Sequence, residues 1–201
     1  MKLYYAAASP FVRKVMVLLH ETGQVDDVEL INVAITPVAP SDRLRASNPL
    51  SKIPALERAD GPALYDSRVI CAYLDERAGS GLYGTGTQKW DLLTLEATAD
   101  GIMDAAVVAR YETFLRPEDK QWDEWTEGQW SKVLAALAAL ESRWMSHLAK
   151  PLSIAHIAVG SALGYLDFRH DARNWRGSAP ALADWYSGFS DRPSMAATRP
   201  E

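Results

Sequence analysis

The chain has 201 residues, and its 48% hydrophobic content is enough to bury the core of one large domain or of two small ones. A formal net charge of −5 at pH 7, with one short basic cluster over 169–176 that Asp171 interrupts, argues against nucleic acid as a partner. The single cysteine excludes an internal disulfide and the four histidines lack the spacing of metal ligands, so we expect no metal site and no thiol pair.

The first 78 residues alternate short apolar runs with helical periods. In chain order they predict a strand over 3–6, a helix over 10–20, a strand over 28–33, a short strand over 55–57 and a helix over 69–77. This order is a βαβ unit followed by a ββα unit, so residues 1–78 are expected to form an α/β domain.

A glycine-rich segment over 79–88 interrupts this pattern and is predicted to be a linker. Residues 89–201 contain no convincing strand, and their apolar and aromatic residues recur at helical spacing, with a break at Arg116 and Pro117. We therefore expect an all-helical second domain over 89–201. No apolar run approaches the roughly 18 residues of a membrane span and the chain starts without a signal-peptide pattern, so a cytoplasmic protein without a membrane partner is expected.

Ser9 stands between the first predicted strand and the first predicted helix. Pro10 is a residue type favoured at the first helical position, which makes Ser9 the predicted N-cap. Such a cap accepts a hydrogen bond from a first-turn amide and stabilises a helix by about 1 kcal/mol. A serine nucleophile is disfavoured, because the sequence around Ser9 lacks a G-x-S-x-G turn and no histidine is nearby in sequence.

Two further stretches carry turn and cap signals, N48-P49-L50-S51-K52-I53-P54-A55-L56 and L64-Y65-D66-S67-R68-V69-I70. Frequency alone favours a trans bond between Ile53 and Pro54. Asp66 and Ser67 precede apolar helical positions, so either is a candidate cap of that helix. A helix N-terminus is also a good anion site, because its free amides and its dipole point the same way.

These stretches together resemble the cytosolic glutathione transferases, and the likeness covers nearly the whole chain. S9-P10-F11-V12-R13-K14 is similar to the active-site turn of serine-containing members, N48-P49 with K52-I53-P54-A55-L56 to the cis-proline segment, and D66-S67 to the acidic-serine pair that grips the γ-glutamyl group. A99-D100-G101-I102-M103-D104 and G164-Y165-L166-D167-F168-R169 resemble a bacterial branch of the family. The resemblance implies a thioredoxin-like first domain that binds glutathione and a helical second domain that lines the pocket of the other substrate.

The resemblance assigns catalysis to Ser9, whose hydroxyl would donate to the glutathione sulfur and favour its thiolate. An unperturbed thiol has a pKa near 8.5, and lowering it by about two units takes about 2.7 kcal/mol. One charge-assisted hydrogen bond contributes about 1.5–3 kcal/mol and a helix N-terminus about 0.3–1 kcal/mol more, so no base is needed. For Arg13, on the following turn, a structural ion pair is favoured over catalysis.

The same resemblance implies the other glutathione contacts. If Pro54 is cis, the backbone N–H and C=O of Ile53 pair with the cysteinyl part of the tripeptide in the manner of an added strand. Ser67 would take the γ-glutamyl carboxylate and Asp66 its ammonium group. Lys52 would reach the glycyl carboxylate, although a solvated lysine is the simpler interpretation.

Residues for the second-substrate pocket are Phe11, Met103, Arg110 and Tyr111, although methionine and aromatic residues at helical spacing are more often core. Asp100 and Asp104 share one helix face, for which a solvated surface is the more frequent explanation. In some relatives an acidic residue here reaches glutathione across a dimer interface. The family usually forms homodimers, and we expect one here.

The chain departs from the family pattern at S153-I154-A155-H156, where relatives carry Ser/Thr-x-x-Asp before a central helix. Ser153 still predicts a cap, but His156 lacks the permanent charge of a carboxylate, so the helix start is expected to depend on pH. The three alanines before Ser9 also predict an open approach to the sulfur.

Two classes of function follow from the resemblance. The first is an enzyme that joins the glutathione thiolate to a small hydrophobic electrophile, with a serine-type glutathione-dependent isomerase or a dehalogenase as variants. The second is a non-catalytic glutathione-transferase-like binding module. Thiol-disulfide exchange is disfavoured, because Ser9 stands where a redox-active relative carries cysteine. The fold alone does not decide between the two classes.

Overall fold

The computed structural model describes residues 1–200, which divide into two compact units. The first unit consists of Met1–Thr85 together with the C-terminal segment that begins at Pro193, and the second is Gly86–Arg192. An α/β unit followed by a helical unit confirms the predicted fold class.

In the first unit, residues 1–85 form a four-stranded mixed sheet with three α-helices. Its elements are β1 (Lys2–Tyr5), α1 (Pro10–Glu21), β2 (Glu29–Asn32), α2 (Asp42–Ser47), β3 (Ala55–Arg58), β4 (Gly61–Leu64) and α3 (Ser67–Ala78). The strand order is β2-β1-β3-β4, with β1 parallel to β2 and antiparallel to β3, and β3 antiparallel to β4. This is the thioredoxin-like arrangement of a βαβ unit joined to a ββα unit.

The register of the sheet decides which loops are neighbours. Tyr4 pairs with Ala55 and Leu64 pairs with Leu56, so β1 and β4 end beside the start of β3. The loop after β1, the loop before β3 and the loop after β4 therefore lie at the same end of the sheet. All three predicted glutathione-binding stretches belong to these loops.

Helix α2 and the position of β4 were absent from the sequence prediction. Ser41 caps α2, since its Oγ accepts from the Leu44 N–H at 3.4 Å. The hydroxyls of Ser47 and Tyr4 donate to Glu57 Oε1 at 2.6 and 2.8 Å, which fastens α2 to β1 and β3. These two hydrogen bonds, that from Ser47 first, hold the pKa of Glu57 below its ordinary value.

The second unit, Gly86–Arg192, consists of helices and their connections and has no strand, as predicted. Its helices are α4 (Gln88–Phe114), α5 (Asp123–Ala139), α6 (Met145–Leu148), α7 (Ile154–His170) and α8 (Pro180–Ser190). Helix α7 is the centre of this unit, because every residue from Ile154 to Leu166 is buried. Within residues 1–200, no helix has both the length and the apolar character that crossing a membrane requires.

The chain ends in a short helix, α9 (Pro193–Ala197), that packs on α1 and belongs to the first unit. Arg13 Nη2 donates to the Met195 carbonyl at 3.1 Å, and the Ser194 hydroxyl donates to Glu21 Oε1. The predicted all-helical domain over 89–201 included this segment, which instead packs on the first unit. Helical periodicity indicates that a segment is a helix, but it does not indicate the unit on which the helix packs. The packing of α9 on the first unit could therefore not be predicted from sequence spacing.

Candidate functional site

Ser9 is the N-cap of α1 and lies at the end of the sheet where the three loops meet. Its backbone is extended, with φ −84° and ψ 121°, and its Oγ accepts from the Val12 N–H at 3.3 Å. The side chain is half-buried, and among residues 1–200 no acceptor takes the hydroxyl proton. A serine hydroxyl has two lone pairs and one proton, so capping the helix leaves the proton available for an anion.

The first turn of α1 favours negative charge beside this hydroxyl. No acidic side chain is present over residues 10–13, and Pro10 occupies the first helical position. The positive end of the helix dipole is therefore not neutralised by a carboxylate of its own first turn. Arg13 follows one turn later, but it is buried and its guanidinium donates to the carbonyl of Met195, which is a structural contact.

The loop before β3 has a cis bond between Ile53 and Pro54, as the family resemblance implied and as frequency alone did not. Asn48 holds this loop: its Nδ2 donates to the Lys52 carbonyl at 2.8 Å, and its Oδ1 accepts from the Leu50 N–H at 3.0 Å. No turn or loop hydrogen bond within residues 1–200 engages the backbone of Ile53. Its N–H and C=O are thus available to a peptide ligand.

Asn48 is a positioning residue that the sequence analysis quoted but did not single out. It is buried, and both of its amide atoms fix the backbone between itself and Lys52. An asparagine followed by proline is a turn signal, but the sequence does not tell a solvated asparagine from a buried one that holds a loop. The Lys52 side chain is exposed.

The loop after β4 leads into α3, with Asp66 as the N-cap. Its Oδ1 accepts from the Arg68 N–H at 3.0 Å, which settles the choice between the two predicted caps. Ser67 is the first helical residue and is only 2% exposed, yet among residues 1–200 its hydroxyl has no hydrogen-bond partner. A nearly buried hydroxyl beside free first-turn amides is suited to bind a carboxylate.

The sheet thus brings Ser9, the backbone of Ile53 and the Asp66–Ser67 cap to one end of the first unit. Lys52 adjoins them in the same loop as Ile53. Phe11 lies one residue into α1 beyond Pro10 and is half-buried. The arrangement can hold an anion at Ser9, an extended peptide along Ile53 and a carboxylate at Ser67.

The remaining predicted residues lie on α4 in the second unit. Met103 is fully buried, so it belongs to the core, which was one of the two interpretations of its helical spacing. Arg110 and Tyr111 are half-buried, and burial raises the pKa of the Tyr111 hydroxyl. Asp100 is only 1% exposed, so the solvated-face interpretation is wrong for that residue, whereas Asp104 is exposed. Helical spacing alone did not show which of the two faces inward.

Comparison with known proteins identifies the family of this chain. A family model described as "Glutathione S-transferase, N-terminal domain" matches residues 3–84, and one described as "Glutathione S-transferase, C-terminal domain" matches residues 123–188. The chain is 33% identical over 204 residues to the uncharacterized GST-like protein YibF of Escherichia coli K12, covering 100% of this chain and 98% of that protein.

Two solved structures of a glutathione transferase family member from Pseudomonas fluorescens Pf-5 are also similar. One, with bound glutathione, is 52% identical with a TM-score of 0.97 and covers 100% of this chain and 98% of its own. The other, with bound S-(propanoic acid)-glutathione, is 51% identical with a TM-score of 0.92 and covers 100% of both chains. These similarities span both units.

Proposed function

The chain belongs to the glutathione S-transferase family, and from this premise we propose that it joins the thiolate of glutathione to a small hydrophobic electrophile, with Ser9 stabilising the thiolate. The observation that carries the proposal is the convergence of Ser9, the Ile53 backbone that is unpaired within residues 1–200 and the Asp66–Ser67 cap at one end of the sheet. Each group matches one part of the tripeptide: its sulfur, its peptide backbone and its γ-glutamyl carboxylate.

The sulfur is the reacting atom, and Ser9 is the catalytic residue of this proposal. The Ser9 Oγ accepts a hydrogen bond from the Val12 N–H, and its hydroxyl donates to the thiolate when glutathione binds. This hydrogen bond and the helix dipole together supply the roughly 2.7 kcal/mol needed to lower the thiol pKa by about two units. Ser9 removes no proton, so the thiol proton leaves to solvent.

The rest of the tripeptide is held by groups that do not react. The Ile53 backbone adds the cysteinyl residue as a strand, Ser67 binds the γ-glutamyl carboxylate and Asp66 faces its ammonium group. Lys52 reaches the glycyl carboxylate. Asn48 positions this loop through the Lys52 carbonyl, so it acts on glutathione only through the backbone.

On the second unit, the residues assigned to the electrophile are Arg110 and Tyr111 of α4. The new carbon–sulfur bond forms as the leaving group departs from the same carbon, or as the electron pair of an activated double bond shifts. The S-(propanoic acid)-glutathione in the second Pseudomonas structure supports conjugation, because it is glutathione with a small group on sulfur. Exposed apolar side chains on α4, Trp90 at 67% and Phe114 at 61%, support a homodimer.

Two measurements on the full-length protein test this function. Titration with glutathione, followed by the ultraviolet absorbance of the thiolate, is expected to show saturable binding with a bound-thiol pKa well below 8.5. Turnover of 1-chloro-2,4-dinitrobenzene is expected to release chloride and form the conjugate. Saturable binding without turnover of any electrophile would favour the non-catalytic binding module, and failure to bind glutathione would contradict both.

A further inference from the structure

Two arginines and two tyrosines form a group on the facing helices α4 and α7, which we call the α4–α7 cluster: Arg110, Tyr111, Tyr165 and Arg169. Tyr165 and Arg169 are four residues apart and share one face of α7. Arg169, Tyr111 and Arg110 each influence the pKa of the Tyr165 hydroxyl, so each lies within electrostatic reach of it.

A hydrogen bond fixes the two helices beside this cluster. His170 Nε2 donates to the Ala106 carbonyl at 2.9 Å, which fastens the last turn of α7 to α4 one turn before Arg110. The His170 ring also lies 6.1 Å from the Tyr165 ring, edge to face. The cluster is therefore mounted on two helices that are tied together and not on a loop.

Neither arginine of the cluster has a carboxylate partner among residues 1–200. Two carboxylates near them in sequence, and the carboxylate that pairs with Arg173, are bound by other arginines. These pairs are Glu112 with Arg116, Asp167 with Arg176, and Glu127 with Arg173. Asp171, two residues after Arg169, forms no ion pair with it. Two half-buried guanidinium groups are thus left without a counter-charge.

Aromatic rings hold both guanidinium groups instead. The Arg110 Cζ lies 4.5 Å from the centroid of the Phe114 ring, and the Arg169 Cζ lies 3.8 Å from that of Phe168. A guanidinium stacked on a ring keeps its N–H groups at the edge of its plane. The stacking therefore orients the donors without using them.

The two tyrosines add uncharged donors. Tyr165 is 6% exposed, and burial raises the pKa of its hydroxyl to about 12 despite the nearby arginines. Burial also raises the pKa of the Tyr111 hydroxyl, so both remain protonated at neutral pH. Among residues 1–200 neither hydroxyl has a hydrogen-bond partner, and the Tyr165 oxygen is not sealed from solvent. Both hydroxyls therefore have a proton that they can donate to water or to a ligand.

We propose that the α4–α7 cluster binds a carboxylate on the electrophile, so that the substrates of the proposed transfer reaction are small electrophiles that carry a carboxylate group. A carboxylate is planar and presents about four lone-pair sites, which matches two guanidinium edges and two phenol donors. Arg169 and Tyr165 join Arg110 and Tyr111 as residues that determine specificity. The proposal rests on the proposed function for its reaction, but the binding of the carboxylate does not depend on turnover.

A matched pair of electrophiles tests the specificity. In 4-chloro-3-nitrobenzoate and 4-chloro-3-nitrobenzamide, the thiolate attacks the ring carbon that bears chlorine, the carbon–sulfur bond forms, and chloride leaves with the electron pair of the broken bond. The two compounds differ only in carboxylate against carboxamide. After correction for their uncatalysed rates, the wild-type protein is expected to prefer the benzoate in kcat/KM by about tenfold or more.

Glutamine substitutions, which keep most of each side chain, identify the site. Arg110→Gln and Arg169→Gln are each expected to lower the benzoate-to-benzamide ratio of kcat/KM by about tenfold, because only the benzoate loses a charge-assisted hydrogen bond. Arg143→Gln, an exposed position of the same unit with the same loss of charge, is the matched control and should not alter the ratio. A ratio that both cluster variants leave at the wild-type value would overturn the proposal.

A binding measurement separates this proposal from the transfer reaction. Unreactive 3-nitrobenzoate is titrated by calorimetry into the glutathione-saturated protein, with 3-nitrobenzamide as the uncharged control. The benzoate is expected to bind more tightly than the amide, and about tenfold less tightly to Arg169→Gln than to wild type. If 3-nitrobenzoate binds more weakly to Arg169→Gln than to wild type but neither electrophile is turned over, the carboxylate subsite is supported and the transferase is contradicted. If the benzamide is turned over but 3-nitrobenzoate does not bind, or binds equally to wild type and Arg169→Gln, the transferase is supported and the carboxylate subsite is contradicted.

Discussion

At the scale of single residues, the one side-chain oxygen of Ser9 caps a helix and can also carry the proposed chemistry. Its acceptor side caps α1 through the Val12 N–H, and its donor side is unused among residues 1–200. The two roles do not compete, because a hydroxyl accepts through its lone pairs and donates through its proton. The interpretations that sequence spacing left open, cap or chemical group, are therefore compatible with each other.

Ser9→Ala is expected to raise the pKa of the bound glutathione thiol by about one to two units, because the charge-assisted hydrogen bond is lost. At pH 6.5, kcat/KM for an aromatic halide should fall by about 10–100-fold. Thiolate absorbance against pH and steady-state kinetics measure these effects. The loss of the cap should also lower the free energy of unfolding by about 1 kcal/mol.

Ser41→Ala is the matched control, since Ser41 caps α2 through the Leu44 N–H in the same manner. It should reduce stability by a similar amount and leave the thiol pKa unchanged. If both variants shift the thiol pKa equally, or neither does, Ser9 has no special role at the sulfur.

Sequence reasoning succeeded at residues whose role is local and was weaker where the role depends on burial. Ser9 and Asp66 were recognised as cap candidates, because a cap needs only its own helix start. Asn48 was not recognised as the residue that holds the loop, and Asp100 was expected on a solvated face although it is buried. Burial is set by the packing of distant segments, which a local pattern does not contain.

At the scale of elements, the start of α7 depends on a neutral histidine. His156 Nδ1 accepts from the Ser153 N–H at 3.2 Å and lies 2.8 Å from Ser153 Oγ, while its Nε2 donates to the Leu148 carbonyl at 3.2 Å. Protonation of Nδ1 would remove the acceptor. Burial, as the main cause, holds the pKa of His156 below its ordinary value of about 6.5.

The depressed pKa gives a signed prediction for stability against pH. The unfolded chain binds the proton of His156 more readily than the folded chain does, so stability is full above about pH 6.5 and falls as the pH decreases toward the folded-state pKa. His170, whose pKa burial also lowers, acts in the same direction. Each histidine contributes a slope of at most about 1.4 kcal/mol per pH unit.

His156→Gln is expected to reduce this slope, because glutamine can fill the third helical position of a capping box without titrating. Urea unfolding between pH 5 and 7.5 measures it for wild type and variant. Ser41→Ala, which removes the cap of α2 and no titrating group, is the control and should keep the wild-type slope. An unchanged slope in His156→Gln would show that the start of α7 does not sense pH.

The order of elements was predictable from sequence where the elements are long or strongly patterned. Helices α1 and α3, strands β1 and β2 and the change to an all-helical unit follow from periodicity and from proline and glycine signals. Strand β4 has only four residues, Gly61–Leu64, and includes a proline, so no alternation marks it. The six-residue helix α2 is likewise too short for a periodic signal.

At the scale of the whole molecule, α9 makes the last residues of the chain part of the first unit. It packs against α1, where Met195 is buried and its carbonyl receives the buried guanidinium of Arg13. Ser194 adds a second contact to Glu21 near the other end of the helix. Helix α1, which carries Ser9 at its start, is therefore supported by the far end of the chain.

Deletion of residues 193–201 is expected to lower the free energy of unfolding by roughly 3 kcal/mol, because the buried Met195 side chain and the hydrogen bond to a charged guanidinium are lost. Glutathione affinity should fall with it, since α1 loses part of its support. Thermal unfolding and equilibrium binding measure the two effects. A chain that ends at Thr198 keeps α9 and is the control, and equal behaviour of the two truncated chains would contradict the role given to α9.

The return of the chain to its starting unit also determines what a single backbone cut can do. A protease that cleaves in the glycine-rich segment near Gly84 and Gly86 produces an N-terminal fragment with the whole sheet and a C-terminal fragment that still carries α9. Because α9 packs on α1 of the other fragment, the nicked protein retains a docking contact between its pieces. The terminal helix thus connects the two fragments, and this protein is suited to being split and reassembled at that position.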